Sequence, residues 1–354
     1  MVFAAAPRPV RSLALEFTKI AAKNSRTLAA PSRLHIRGVS MGGHITAAAI
    51  EDEAKTTARN KVRCNGAVPM CGVLGDTALF DQFAWIQVTA QAIAGQTSYP
   101  TAKFADILPV VTSTLFSSFP SATTPTAQIT PTATGAKFVS VLKNITGGER
   151  LMFNQGVAVG GSFPSLWGAM GGDGTITGIL NKNALGTNGF TYVIDGDVAG
   201  STALNASAQK LTAATDANRL RTDGLRWIPK ANGEFKIPVV SIHTSGDLFV
   251  PFSMEQVYQK RVAAKGNSTW LVQRAICGAS HCDFTIAEQV DAFDAMIKWE
   301  RDGVKPAGDD VVTPATVAAS TYGCKFTKNT LGPDDGAGVT ALRAGIAASS
   351  APCP

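Results

Sequence analysis

A five-residue sequence, Gly38-Val39-Ser40-Met41-Gly42, constrains the fold of this chain more than any other feature. A short strand-like run, residues 33–38, leads into it, and a segment of small helix-forming residues, 41–54, follows. Glycines on both sides of the serine permit a sharp turn, because they carry no Cβ atom that would clash with a strained serine backbone. The pattern therefore predicts a strand, a tight turn at Ser40 and a helix, in that order.

The rest of the chain repeats this alternation in part. Further strand-like runs cover residues 61–74, 237–244 and 269–276, and helical spacing of apolar residues covers 12–24 and 286–301, where Lys305-Pro306 ends the pattern. Short buried strands that alternate with helices are typical of a mainly parallel sheet flanked by helices. We therefore expect an α/β fold.

Residues 76–232 do not continue the alternation. They include a Ser/Thr/Pro-rich stretch, 120–134, and glycine pairs at 160–161 and 171–172. An insertion of this length predicts a separate cap or lid. The expected organisation is a core of residues 1–75 and 233–306, a cap of residues 76–232 and an irregular C-terminal tail, residues 307–354. Four aromatic side chains of the cap are candidates for a substrate pocket, although each is more typical of ordinary core: Trp85, Phe153, Phe163 and Trp167.

Composition excludes several classes of protein. The chain has 354 residues, of which 45% are hydrophobic and 16% charged, as in a globular enzyme rather than a disordered chain. Its net charge of +6 is spread thinly, so no nucleic-acid partner is expected. No apolar run approaches the roughly 18 residues that a membrane-spanning helix needs. The apolar segment at the start of the sequence is too short for a secretory signal.

Six cysteines fall into pairs that are close in sequence: Cys64 with Cys71, Cys277 with Cys282, and Cys324 with Cys353. Six cysteines admit 15 pairings, and six reduced thiols are the alternative, so this pairing is a hypothesis. It is favoured by Cys353, which lies next to the end of a tail without a core of its own. Disulfides would place the protein outside the cytoplasm, secreted or periplasmic.

A serine hydroxyl becomes a good nucleophile only when a base takes its proton, and that base needs a carboxylate to orient it. Of the four histidines, His281 follows the fourth strand and is the best candidate, whereas His243 within the third strand is an alternative. Asp247 directly follows the third strand, and Asp283 is the weaker alternative because it is too close to His281 in sequence.

Two further roles were considered at this site. The backbone N–H of Met41, at the start of the helix, is placed to stabilise an oxyanion. A zinc site made of Cys277, His281 and Cys282 would lack a fourth ligand, so no metal and no cofactor are expected.

With these residues in view, the chain resembles the α/β-hydrolase superfamily over residues 12–305. The resemblance is most specific in the sequences at 38–43, 243–251 and 278–284. It implies Ser40 as nucleophile in an elbow framed by Gly38 and Gly42, Asp247 as acid, His281 as base, and a cap after the strand that follows the nucleophile helix. The cysteines around His281 and the sequence at 299–306 resemble a subgroup of exported microbial hydrolases.

One departure from the family is apparent. Its members carry several strands before the nucleophile, and a loop after one of them supplies a second oxyanion donor, but only 39 residues precede Ser40. We therefore expect a chain truncated at its N-terminus. The resemblance implies a serine hydrolase acting on small carboxylic esters, with an amidase or a non-catalytic scaffold as the alternatives.

Overall fold

The computed structural model describes residues 32–59, 61–97, 104–119, 129–158, 162–167, 182–350 and Cys353. The helix predicted over residues 12–24 and the glycine pairs at 160–161 and 171–172 lie outside these residues. No helix in the described part of the chain is both long and apolar enough to cross a membrane.

The described chain forms the following elements, numbered in chain order. The strands are β1 His35–Val39, β2 Gly66–Met70, β3 Phe116–Ser118, β4 Thr130–Pro131, β5 Val239–Thr244 and β6 Leu271–Ile276. The helices are α1 Met41–Ala49, α2 Asp52–Thr57, α3 Ala78–Ile93, α4 Phe104–Leu115, α5 Ala133–Ile145, α6 Phe153–Ala158, α7 Ser162–Trp167, α8 Val198–Ser207, α9 Ser253–Ala264, α10 Ile286–Asp302, α11 Pro314–Val317 and α12 Ala337–Ser350.

Four parallel strands form the central sheet in the order β1-β2-β5-β6. Every residue of β2, β5 and β6 is buried, as expected of a parallel sheet covered on both faces. Because the strands are parallel, the residues that follow them lie along one edge of the sheet. The predicted α/β fold class, a mainly parallel sheet flanked by helices, is confirmed.

Alternate residues of each strand enter different cores. On one face, Val68 and Val240 pack against Met296 of α10. On the other face, Val239 and its neighbours pack against Ala47 of α1 and Tyr258 of α9. Helix α10 is well delimited, because Thr285 and Glu288 form a capping box at its start. It ends at Gly303, whose φ of 72° suits glycine, rather than at the predicted Lys305-Pro306.

The described part of the chain between β2 and β5 contains six helices, α3 to α8, and most of one large apolar core cluster. Phe116, Phe138, Phe163 and Trp167 pack ring against ring, with centroids 5.4–6.3 Å apart. Trp85, another aromatic side chain considered for a pocket, is buried in the same cluster, as is Phe153. The cluster also includes Leu248 to Val250, which follow β5. All four candidate pocket residues are therefore core residues, and the boundaries of the cap remain a prediction.

The C-terminal tail differs from the expectation in one respect. The tail was expected to be irregular, but residues 337–350 form α12, an alanine-rich helix. Arg343 of this helix is buried and bonds Glu288 at 2.9 Å, which fixes the helix to the start of α10. The expected bond between Cys324 and Cys353 is present.

The other two predicted disulfides are wrong. Cys71 is bonded to Cys282, and Cys64 and Cys277 are free thiols. Cys64 and Cys71 lie beyond opposite ends of β2, whose five extended residues span about 16 Å, far more than the roughly 4.4–6.8 Å between the Cα atoms of a disulfide. The sulfur of Cys277 faces the tail instead, 3.9 Å from the sulfur of Cys324.

Candidate active site

Ser40 lies in a strained turn between β1 and α1. Its φ of 58° and ψ of −118° are unusual for a residue other than glycine, and its N–H donates to the carbonyl of Met70 at 3.0 Å. A Cβ atom on Gly38 would lie 2.1 Å from the carbonyl oxygen of Gly42, so only glycine fits there. The predicted sharp turn is present, and Ser40 remains partly exposed at the edge of the sheet.

The two glycines at the start of α1, Gly42 and Gly43, are not equivalent. A Cβ atom on Gly42 would meet nothing within 4 Å, whereas one on Gly43 would lie 2.6 Å from the carbonyl oxygen of Met70. The close approach of α1 to β2 therefore requires glycine at 43 and not at 42. The sequence pattern marks Gly42, whereas the packing requires glycine at Gly43.

Three side chains predicted to act together do meet. Ser40 Oγ lies 2.7 Å from His281 Nε2, although the two residues are 241 positions apart. His281 Nδ1 lies 2.7 Å from Asp247 Oδ2. Each of these residues follows the carboxyl end of a different strand, β1, β5 and β6, and the parallel sheet brings those ends to one edge. The result is an unbroken chain from hydroxyl to imidazole to carboxylate.

Asp247 is the buried end of this series of hydrogen-bonded side chains. Its Oδ1 accepts backbone N–H bonds from Phe249 at 2.9 Å and Val250 at 3.0 Å, and its Oδ2 is left for His281. The backbone bonds fix the orientation of the carboxylate, since both donors belong to the turn that begins at Asp247. His281 is partly exposed, and the ring of Phe249 lies 5.3 Å from its own ring.

The alternative acid and base occupy other places. Asp283 is buried, accepts a backbone bond from Ala279 at 3.2 Å and lies 3.7 Å from Arg343 Nε. It therefore serves the attachment of α12 and does not orient His281. His243 is fully buried, and its Nε2 lies 2.7 Å from the carbonyl oxygen of Val250. It has no contact with Ser40 but lies 3.6 Å from Asp247.

The disulfide between Cys71 and Cys282 borders the site. Cys71 follows β2 and Cys282 follows His281, so the bond ties the loop that carries the imidazole to the centre of the sheet. The sulfur of Cys282 lies 3.3 Å from His281 Nε2. Cysteines bound in a disulfide offer no thiolate to a metal, and Cys277 lies with Cys324 and Cys353 instead. The zinc ligand set considered from the sequence is therefore not assembled.

Three site residues were missed by sequence analysis: Arg150, Glu255 and the orienting role of Cys71. Arg150 is buried and donates from Nε to the carbonyl oxygen of Ser245 at 2.6 Å, two residues before Asp247. Burial lowers its pKa to about 9, so it still carries a positive charge at neutral pH. A single arginine far along the chain gives no sequence signal, whereas the strand between Cys64 and Cys71 is a signal against a bond between those two cysteines.

Comparison with known proteins gives partial likenesses only. No family model matches the chain. An o-phthalyl amidase of Xanthobacter agilis is 28% identical over 91 residues, which is 26% of this chain and 20% of the amidase. These likenesses are too partial to assign the chain to a family.

Among solved structures, the chain is similar to feruloyl esterase B from Aspergillus oryzae, with a TM-score of 0.38, 16% identity and coverage of 85% of this chain and 64% of that one. For tannin acyl hydrolase from Aspergillus niger the TM-score is 0.32 and the identity 13%, with coverage of 80% and 58%. For lipase A of Candida antarctica in its closed state the values are 0.32 and 16%, with coverage of 92% and 60%. The chain thus spans less than two thirds of each of these structures.

Proposed function

We propose that this protein is a serine hydrolase that cleaves carboxylic esters through an acyl-enzyme. The observation that carries the proposal is the continuous chain of contacts from Ser40 Oγ through His281 to Asp247, with both distances at 2.7 Å. A nucleophile bonded to a base, and a base bonded to a buried carboxylate, is the arrangement that activates a serine.

The first half of the reaction forms the acyl-enzyme. Ser40 Oγ attacks the carbonyl carbon of the ester while His281 Nε2 takes its proton, and Asp247 stabilises the imidazolium that results. Helix α1 begins at Met41, so the N–H of Met41 has no partner within the helix and is available to the oxyanion. His281 then gives its proton to the leaving alcohol.

The second half releases the acid. Water takes the place of the alcohol, His281 removes its proton, and the hydroxide attacks the acyl carbon, after which Ser40 recovers its hydrogen. Ser40 and His281 are both partly exposed, so substrate and water can reach them. These steps balance with the three side chains and the Met41 amide, and the proposal therefore requires no cofactor.

The substrate is proposed to be a small ester, and the protein to work outside the cytoplasm. Two disulfides support that location, because such bonds persist in oxidising compartments. The helices between β2 and β5, residues 76–232, are proposed to act as a cap over the site.

The test combines covalent labelling with turnover. A fluorophosphonate probe should label the wild-type protein, and p-nitrophenyl acetate should be hydrolysed. In Ser40→Ala, labelling should disappear and kcat should fall by at least about 10³-fold. The matched control is Ser113→Ala, because Ser113 is exposed on α4 and donates only within its own helix, to the carbonyl oxygen of Val110.

Labelling that persists in Ser40→Ala would contradict the proposal. A wild-type protein that neither labels nor turns over any ester would favour a non-catalytic scaffold instead. Amide hydrolysis is a second candidate, favoured by the partial likeness to an o-phthalyl amidase. Rates on an aryl ester and an anilide with the same acyl group separate the two, since the amine leaving group depends more strongly on proton donation by His281.

A further inference from the structure

A second histidine lies directly behind the carboxylate of the site. His243, on β5, is fully buried, and its Nε2 lies 3.6 Å from Asp247 Oδ2. On its other side, Nδ1 lies 3.4 Å from Oε1 of Glu255, a buried residue of α9. The imidazole therefore stands between two buried carboxylates, one of which belongs to the candidate active site.

The contacts of Nε2 establish one proton. Its nearest partner is the carbonyl oxygen of Val250, at 2.7 Å. A carbonyl oxygen only accepts hydrogen bonds, so Nε2 must be the donor. The same N–H also faces the carboxylate of Asp247 at the longer distance.

The contacts of Glu255 establish the second proton. Its Oε2 accepts from the hydroxyl of Ser241 at 2.7 Å and from the side-chain amide of Gln273, which leaves only Oε1 to face His243. Neither its Oε1 nor the Nδ1 of His243 has a hydrogen-bond partner among the described residues, and the two atoms lie 3.4 Å apart. Without a proton between these two atoms, their lone pairs would face each other in a buried place, which is unfavourable.

The surrounding charges are consistent with a cationic ring. Burial alone lowers the pKa of His243, but Glu255 and Asp247 outweigh burial and raise the pKa above its usual value. The charge of Asp247 acts on Arg150, and that of Glu255 acts on the phenols of Tyr258 and Tyr322. Burial raises the pKa of both phenols, so they stay neutral. Two buried carboxylates are then balanced by two buried cations.

We propose that His243 is a positioning residue that stays doubly protonated and, as a buried imidazolium, holds Asp247 ionised and aligned with His281. The effect of His243 on catalysis rests on the proposed function, whereas its charge can be measured without any turnover. The positive charge also partly offsets the charge of Asp247 at His281.

The first experiment measures the charge. Nitrogen-15 NMR of protein labelled at histidine, with His243→Gln to assign the signals, should show both nitrogens of His243 protonated from pH 6 to 9. A signal with one protonated and one bare nitrogen in that range would overturn the proposal, whatever the protein catalyses. Labelling of Ser40 by the fluorophosphonate probe tests the proposed function separately.

The second experiment measures the effect on His281. In His243→Gln, the titration midpoint of His281 in the same NMR spectra should rise by about one pH unit, because a positive charge has been removed nearby. The acid limb of kcat/KM should move by the same amount. Glu255→Gln should shift the His281 midpoint and the acid limb in the same direction but by less, because it removes the Glu255 anion together with the positive charge of His243 that this anion stabilises. This variant replaces His243→Gln if the latter does not fold.

The matched control is His35→Gln, because His35 lies on β1 beside Glu300 and away from the site. It should leave both the His281 midpoint and the acid limb unchanged. A His243→Gln variant that loses rate uniformly with pH, and leaves the His281 midpoint where it was, would show a packing role and refute positioning by charge.

Discussion

The disulfide between Cys71 and Cys282 should contribute more to stability than the one between Cys324 and Cys353. Both can be removed without leaving new thiols, in the double variants Cys71→Ala/Cys282→Ala and Cys324→Ala/Cys353→Ala. The first bond joins residues 211 positions apart and the second residues 29 apart. A crosslink restricts the unfolded chain more when it closes a longer loop.

Loop length sets the size of the expected difference. The entropy of loop closure gives about 5.4 kcal/mol for a loop of 211 residues and about 3.6 kcal/mol for one of 29. The first double variant should therefore lose about 2 kcal/mol more in free energy of unfolding than the second. Residual structure in the unfolded state reduces both losses, and the comparison between two variants removes part of that effect.

Urea unfolding without reductant, followed by tryptophan fluorescence, measures both losses. The slope against urea should be similar in the two variants, so that their midpoints can be compared. A Cys324→Ala/Cys353→Ala variant that loses as much as the other would refute the argument from loop length. The wild-type protein, unfolded without reductant, should also show two free thiols, Cys64 and Cys277. A wild-type protein without any free thiol would contradict the pairing seen in the structure and reopen the pairing of neighbouring cysteines.

Two further predictions concern single residues. Gly38→Ala should lower the free energy of unfolding by about 3 kcal/mol, because the new Cβ would meet the backbone of Gly42. Gly42→Ala, with open space around the new Cβ, should be neutral or stabilising by about 0.5–1 kcal/mol. Equal losses of stability in the two variants would contradict this. Burial raises the pKa of Glu51 to about 7 in the folded protein. Between its unfolded value of 4.5 and about 7 the folded state binds more protons, so stability should fall by about 3 kcal/mol as pH rises through that range. Glu51→Gln should remove this fall, and parallel pH profiles of the urea midpoint would contradict it.

Local sequence signals predicted the parts of the candidate site that depend on the backbone. Ser40 is flanked by glycines after a strand, and Asp247 and His281 directly follow strands. Because parallel strands end at one edge of a sheet, these positions are enough to bring the three side chains together. The fold class follows from the same alternation of strands and helices.

Features that depend on packing across the sheet were not predicted. The partner of Cys71 is set by the order of the strands, which proximity in sequence ignores, although the extended run after Cys64 already excludes a bond between the two. The charge of His243 depends on Glu255, on a helix that packs against β5. The tail helix α12 is anchored by Arg343, and its alanine-rich sequence has little amphipathic pattern.

The placement of the three site residues after three different strands also bears on protein synthesis. Ser40 leaves the ribosome long before His281, which is made 241 residues later. At about 5–20 residues per second, the interval is roughly 12–50 s. Under the proposed function, the emerging chain holds the nucleophile without its base throughout this interval and cannot yet cleave esters.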